Sequence, residues 1–204
     1  MSAACLLPLY EPGAEAATPR TSELPVASAP VTSAVTVRPL SRGDTATVLE
    51  VFAGLSDRSR HLRFLTPKPR LTRTDLRRLT EVDHHDHVAV VAVAGPGRHP
   101  VGVGRFFRDP AQPESADVAV AVVDDWQGQG VGTALVMALM DRARQVGVRR
   151  FTMMMSSDND AALRLLHGAP GVIEKLAVDA ETAEFALDFA PTPPARATAA
   201  GWLR

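Results

Sequence analysis

Cysteine, tyrosine, net charge and long apolar runs are all scarce in this chain. Its single cysteine, Cys5, lies in an irregular N-terminal stretch, which leaves no disulfide framework and no cysteine-rich metal site and makes a reducing cytoplasm the natural setting. The 22 basic residues are balanced by 23 acidic ones, so the broad positive face of a nucleic-acid binder is not expected. No run approaches the roughly 20 apolar residues of a membrane-spanning helix. The stretch 3–9 is too short for a secretory signal and is broken by Pro8. What remains is a folded protein with neither a membrane nor a nucleic acid as partner. Its 204 residues, 46% of them hydrophobic, suffice for one domain with its own core. Residues 1–34, rich in Ala, Pro, Ser and Thr, are expected to be a disordered leader, 35–190 the domain, and 191–204 a Pro/Ala-rich tail.

Glycine, by contrast, is concentrated where it matters. The run Gln127-Gly128-Gln129-Gly130-Val131-Gly132-Thr133 joins an apolar stretch, 118–123, to an amphipathic one, 131–146. Three glycines in five positions allow a tight turn and a close ligand, and a helix starting there offers unpaired N–H groups and the positive end of its dipole to an anion. A Walker loop requires a lysine that the run lacks, and the dinucleotide fingerprint requires a glycine where Thr133 stands. The pattern that fits is Gln-x-x-Gly-x-Gly, from Gln127 through Gly130 to Gly132. It resembles the coenzyme-A motif of the GNAT N-acetyltransferase superfamily, in which a strand delivers the chain to the turn and the helix holds a pyrophosphate.

The order of elements agrees. A short strand at 35–39 precedes a helix capped by Ser41 with Val48, Leu49 and Phe52 inward and Gly54 at its end. Helical pieces follow from Ser56 to Pro67 and at 74–79. Strands at 87–94 and 101–107 flank Gly95-Pro96-Gly97, a hairpin signal. A strand at 117–123, the helix after the turn, a strand at 150–155, a helix at 158–167 capped by Ser157 or Asp158, and strands at 172–178 and 184–189 complete the chain. The expectation is an α+β GNAT fold: a mixed, mostly antiparallel central sheet flanked by helices. A closer resemblance lies in Leu55-Ser56-Asp57-Arg58-Ser59-Arg60-His61-Leu62-Arg63-Phe64 and Leu79-Thr80-Glu81-Val82-Asp83, which look like the acetyltransferase domain of bacterial Pat-type protein lysine acetyltransferases.

That resemblance implies the site. Backbone amides of Gln127, Gly128, Gln129, Gly130, Val131, Gly132 and Thr133 would hold the pyrophosphate of acetyl-CoA. An N–H of Val122 or Val123 would polarise the thioester, and the Asn159 amide would meet the pantetheine arm or cap a helix. Pat-type enzymes carry a glutamate where this chain has Asp117. One methylene shorter, Asp117 would take the acceptor's proton through a bridging water, with Glu114 as the rival base. His61 and Arg63 border the acceptor site or lie on a surface helix face. Many GNAT enzymes protonate the leaving thiolate with a tyrosine; here Leu166 stands at that position beside His167, and the chain's tyrosine is Tyr10. A thiol with a pKa of about 8.5 departs without an acid. Arg142, Arg144 and Arg164 are candidates for coenzyme phosphates, and His84, His85 and His87 form a short polar run that does not make a metal site. The activity implied is direct transfer of acetyl from acetyl-CoA to an amine in a ternary complex, on a protein lysine, with no metal. A small-amine acetyltransferase (polyamine, amino acid or antibiotic) and a non-catalytic acyl-CoA sensor are the alternatives.

Overall fold

Alternating and helical patterns sort residues 35–189, the part described by this computed structural model, into seven strands and five helices. The expected leader and tail lie outside the described residues. The strands are β1 (Thr36–Pro39), β2 (His87–Ala94), β3 (His99–Arg108), β4 (Ser115–Val122), β5 (Arg150–Ser156), β6 (Val172–Val178) and β7 (Thr182–Asp188). The helices are α1 (Thr45–Ala53), α2 (Asp57–Phe64), α3 (Arg73–Thr80), α4 (Val131–Gln145) and α5 (Asp160–His167). They form one mixed sheet in the order β1-β2-β3-β4-β5-β7-β6, where only β4 and β5 run parallel.

Both faces of the sheet are covered at β2, which is why its sequence is an unbroken apolar run after His87 and is buried throughout. Val88, Val90, Ala92 and Ala94 join a core with Leu135, Leu139 and Met140 of α4. Ala89, Val91 and Val93 point the other way and pack with Val48 and Val51 of α1. Fully burying each of the valine, leucine and methionine side chains among them contributes about 1.5–3 kcal/mol. Two glycines on β3 bring α4 close to the sheet: a Cβ on Gly104 would sit 2.9 Å from Leu139 Cδ1, and one on Gly102 3.1 Å from Leu135 Cδ1.

Several local expectations shift. Asp44, not Ser41, caps α1, its carboxylate accepting the Thr47 N–H at 3.1 Å. Gly43, at φ 77°, first turns the chain, which delays the helix by one turn. Leu49 is 43% exposed, because the inward stripe of α1 is Val48, Val51 and Phe52. Asn159, rather than Ser157 or Asp158, caps α5, accepting the Ala162 N–H at 3.0 Å.

Candidate active site

Parallel pairing between β4 and β5 is brief. Ser115, Ala116 and Asp117 pair with Arg150, Phe151 and Thr152, and beyond them the strands diverge. The divergence opens a cavity of about 470 Å³, walled by Val118–Val122 of β4, Met153–Met155 of β5, Leu62 of α2 and Leu165 of α5. Antiparallel hydrogen bonding alternates along a strand. Val123 donates its N–H to Val101 at 2.9 Å, so Val122 presents its N–H to the cleft instead. This separates the two residues expected to share the thioester contact: the N–H of Val123 is engaged in the sheet, and that of Val122 faces the opening.

At the upper end of β4 a single 3-10 turn (Asp124–Trp126) leads into the glycine run. Gly128 and Gly130 hold φ of 71° and 82°, values that favour glycine, while a Cβ at either would meet nothing within 4 Å. Backbone conformation rather than space therefore selects glycine there. Gly132 differs: its Cβ position lies 3.3 Å from Leu165, so it lets α4 and α5 approach. Gly130 is the N-cap of α4 and provides no capping side chain, so the first N–H groups, those of Val131, Gly132 and Thr133, remain open to an anion. The two glutamines brace this turn. The Gln127 amide nitrogen donates to Val122 O (3.1 Å), Asp124 Oδ1 (3.1 Å) and Ser59 Oγ (3.3 Å), and that of Gln129 to Asp125 O (2.7 Å). Their side chains shape the cradle, leaving backbone amides to meet a ligand.

Helix α2 closes the cleft from the side. Its N-cap Ser56 accepts the Ser59 N–H at 3.2 Å, and the Ser56 N–H meets Asp124 Oδ2 at 3.3 Å. Ser59, Leu62 and Arg63 recur at helical spacing and line the cavity, whereas His61 points to solvent. An exposed ion pair, Arg58 to Asp158 at 3.1 Å, bridges α2 and the turn before α5. Of the two residues expected to face an acceptor, Arg63 is thus at the cleft and His61 is not.

The register places Asp117 on the α1/α3 side of the sheet, between Phe107 of β3 and Thr152 of β5. Asp117 is exposed as a residue, yet the protein packed close around its carboxylate partly withholds water and raises its pKa above the usual value, against the opposing pull of Arg63 and Arg78, with Glu184 adding to the rise. Glu114 sits outside the cavity wall. It is exposed, 3.9 Å from Arg149, and its carbonyl accepts the N–H groups of Arg149 and Arg150 at the closed end of the β4–β5 pair. Three strand residues, about 10 Å, separate it from Asp117. Asn159 lines the cleft; its Oδ1 caps α5, and its Nδ2 has no partner among the described residues. Leu166 is buried and His167 exposed, at the far end of α5. Arg164 lines the cavity, whereas Arg142 and Arg144 stand about 17 and about 20 Å down α4 from the glycine turn, engaged with His84 O and Asp141.

The histidine run disperses. His87 is buried, stacked on Phe107 with ring centroids 4.0 Å apart and Nδ1 on Glu81 O, while His85 pairs with Asp86. No group of metal-ligating side chains gathers among the described residues. The sequence reading missed Arg105, which is 2% exposed and shares a face with Asp117. A signal was present: Arg105 alternates with Val103 and Phe107, so a charge occupies an inward position of a central strand.

The chain matches the acetyltransferase (GNAT) family over residues 56–168. It is 35% identical over 144 residues to the acetyltransferase Pat of Mycolicibacterium smegmatis, covering 70% of this chain and 43% of that protein. Among solved structures, the GNAT domain of S. lividans PAT superposes with a TM-score of 0.69 at 26% identity, over 79% of this chain and all of that one. A Salmonella typhimurium acetyltransferase, yncA, solved with its cofactor acetyl-CoA, shares the fold with a TM-score of 0.60 at 19% identity, over 78% of this chain and 98% of that one. The open-amide turn, the splayed strands and these likenesses converge: the chain belongs to the GNAT family of acetyltransferases.

Proposed function

We propose that this GNAT enzyme transfers acetyl from acetyl-CoA to an amine by direct attack in a ternary complex, with a lysine side chain of a protein as acceptor. The observation that carries the reading is a cleft on which an open-amide turn and an unpaired strand N–H converge, with Asp117 next in β4 to the lining residue Val118. Gly128–Thr133 amides would seat the pyrophosphate, the unpaired edge of β4 the peptide-like arm, and Asn159 Nδ2 an arm carbonyl. The fit is supported by the absence of side chains over Gly128 and Gly130 and by the length of the cavity along β4. Acetyl-CoA supplies a thioester whose carbonyl carbon gains a bond to nitrogen as its bond to sulfur breaks.

The residues of the chain supply the rest. An alkylammonium of pKa about 10.4 must first lose a proton, and Asp117, held above the usual carboxylate range, takes it through a water molecule. The Val122 N–H stabilises the negative charge that develops on the carbonyl oxygen. The sulfur leaves as thiolate, since buried Leu166 replaces a proton donor. Similarity to Pat supports a lysine acceptor, and the scarcity of cysteine supports a cytoplasmic setting; among the described residues no helix is long and apolar enough to cross a membrane.

Release of free thiol from acetyl-CoA, followed against lysine-bearing proteins and free amines with coenzyme binding recorded in parallel, tests the reading. Turnover on a protein lysine is the expected result. Turnover confined to small amines overturns the acceptor assignment, and tight binding with no turnover overturns catalysis in favour of a sensor.

A further inference from the structure

Among the described residues, two arginines near Asp117, Arg105 on the same face of the sheet and Arg63 on α2, have no carboxylate within ion-pair distance. Arg105 is 2% exposed, gives one hydrogen bond, to the carbonyl of Leu79 at the end of α3, and leaves its Nε without a partner. Arg63 reaches the cleft from α2. Asp117 is the carboxylate that bears on it, yet the two do not approach within the 4 Å of an ion pair. Arg78, over the Phe107 ring at 5.7 Å, adds a third positive charge that acts on Asp117. A guanidinium shielded from water without an anion is unfavourable: burial pushes Arg105 down to about 9, with the like charge of Arg63 lowering it further, and the protein packed around the half-buried Arg63 pushes it down to about 10 against the opposite pull of Asp117.

The charges are also sorted. By register, Arg105 and Ala119 form the row next to Phe107, Asp117 and Thr152, and Glu184 lies on the same face two strands beyond Asp117. Arginines therefore occupy the β3, α2 and α3 side of Asp117, and a second carboxylate the β7 side. A polyamine would meet like charge on the first side. A molecule with an ammonium and a carboxylate a few bonds apart meets opposite charge on both, and the planar fork of arginine matches a carboxylate. We propose that the acceptor amine is accompanied by a carboxylate, held by Arg63 with the buried Arg105 adding positive charge behind it, while Asp117 receives the proton of the amine. This rests on the transferase reading above and narrows its substrate. The same chemistry occurs in a free amino acid and in a protein lysine flanked by Asp or Glu.

Matched acceptors separate these sources. Thiol release is followed with free L-amino acids against their carboxamides, and with lysine peptides bearing Asp or Glu against Asn or Gln beside the lysine. In one arm the carboxylate member should show a kcat/KM higher by about ten- to hundredfold, mostly through KM. A preference in the first arm names a free amino acid, and in the second a protein. Helix α2 contains no buried residue, so Arg63→Gln leaves the core intact; it should abolish the preference, and Arg63→Lys should restore part of it. Equal rates for the members of every pair, or a preference that survives in Arg63→Gln, overturn the proposal while leaving the transferase standing. Absence of thiol release with every amine overturns both.

Discussion

Asp117 is ionised at a cost. Its pKa is raised by the surrounding protein, so the charged form is disfavoured in the fold relative to the unfolded chain. That penalty is fully present above the folded pKa and disappears as pH falls below the ordinary carboxylate value. Asp117→Asn removes it, and the variant is expected to be at least as stable as the parent at neutral pH in thermal melts. The same variant should retain coenzyme affinity and transfer acetyl more slowly by about a hundredfold or more; unchanged turnover would remove Asp117 from the mechanism and bring forward Glu114. A base acts when ionised, so activity falls as pH drops through its pKa. Arg63 lowers that pKa, and its loss must raise it. The acidic limb of the kcat/KM profile is expected to move to higher pH in Arg63→Gln, and an unmoved limb would show that Asp117 does not set it.

At the scale of elements, the turn before α4 makes the sharpest prediction. Gly130→Asp asks a residue with a Cβ to hold φ 82°, at about 1–2 kcal/mol, with no clash because nothing lies within 4 Å. It also sets a carboxylate against the open amides, so acetyl-CoA affinity should fall by about a hundredfold or more in calorimetry; tight binding by this variant would refute the anion seat. This element was legible in the sequence because glycine spacing and helix start are local facts. The roles of its glutamines were not: Gln127 contacts Ser59, 68 residues away, and no local pattern reports such a contact. Nor could the sequence divide Val122 from Val123, since which N–H faces the cleft depends on the β3 register. Arg105 was legible as an anomaly of alternation, but its neighbour Arg63 comes from a different element. The caps of α1 and α5 shifted for a simpler reason, that Ser, Asp and Asn stand side by side and all can cap.

Across the whole molecule, the sheet is thin where α4 crosses β3 because Gly102 and Gly104 admit the helix. Gly104→Val would force Leu139 aside in a core with 0% exposure and should lower stability by about 1–3 kcal/mol in denaturant unfolding. A loss near zero would mean that α4 moves freely over the sheet. The two half-sheets meet through only three residue pairs of β4 and β5, and the Gln127 amide ties the glycine turn to α2, which carries Arg63. That tie has a consequence for binding. A coenzyme seated on that turn would steady α2 and with it the acceptor side of the cleft, and by linkage each ligand would strengthen the other's hold equally. The two substrates should therefore bind with positive cooperativity: a saturating non-hydrolysable acetyl-CoA analogue should tighten acceptor binding in calorimetry, and the acceptor should tighten analogue binding by the same factor; independent binding would show that the tie carries no coupling.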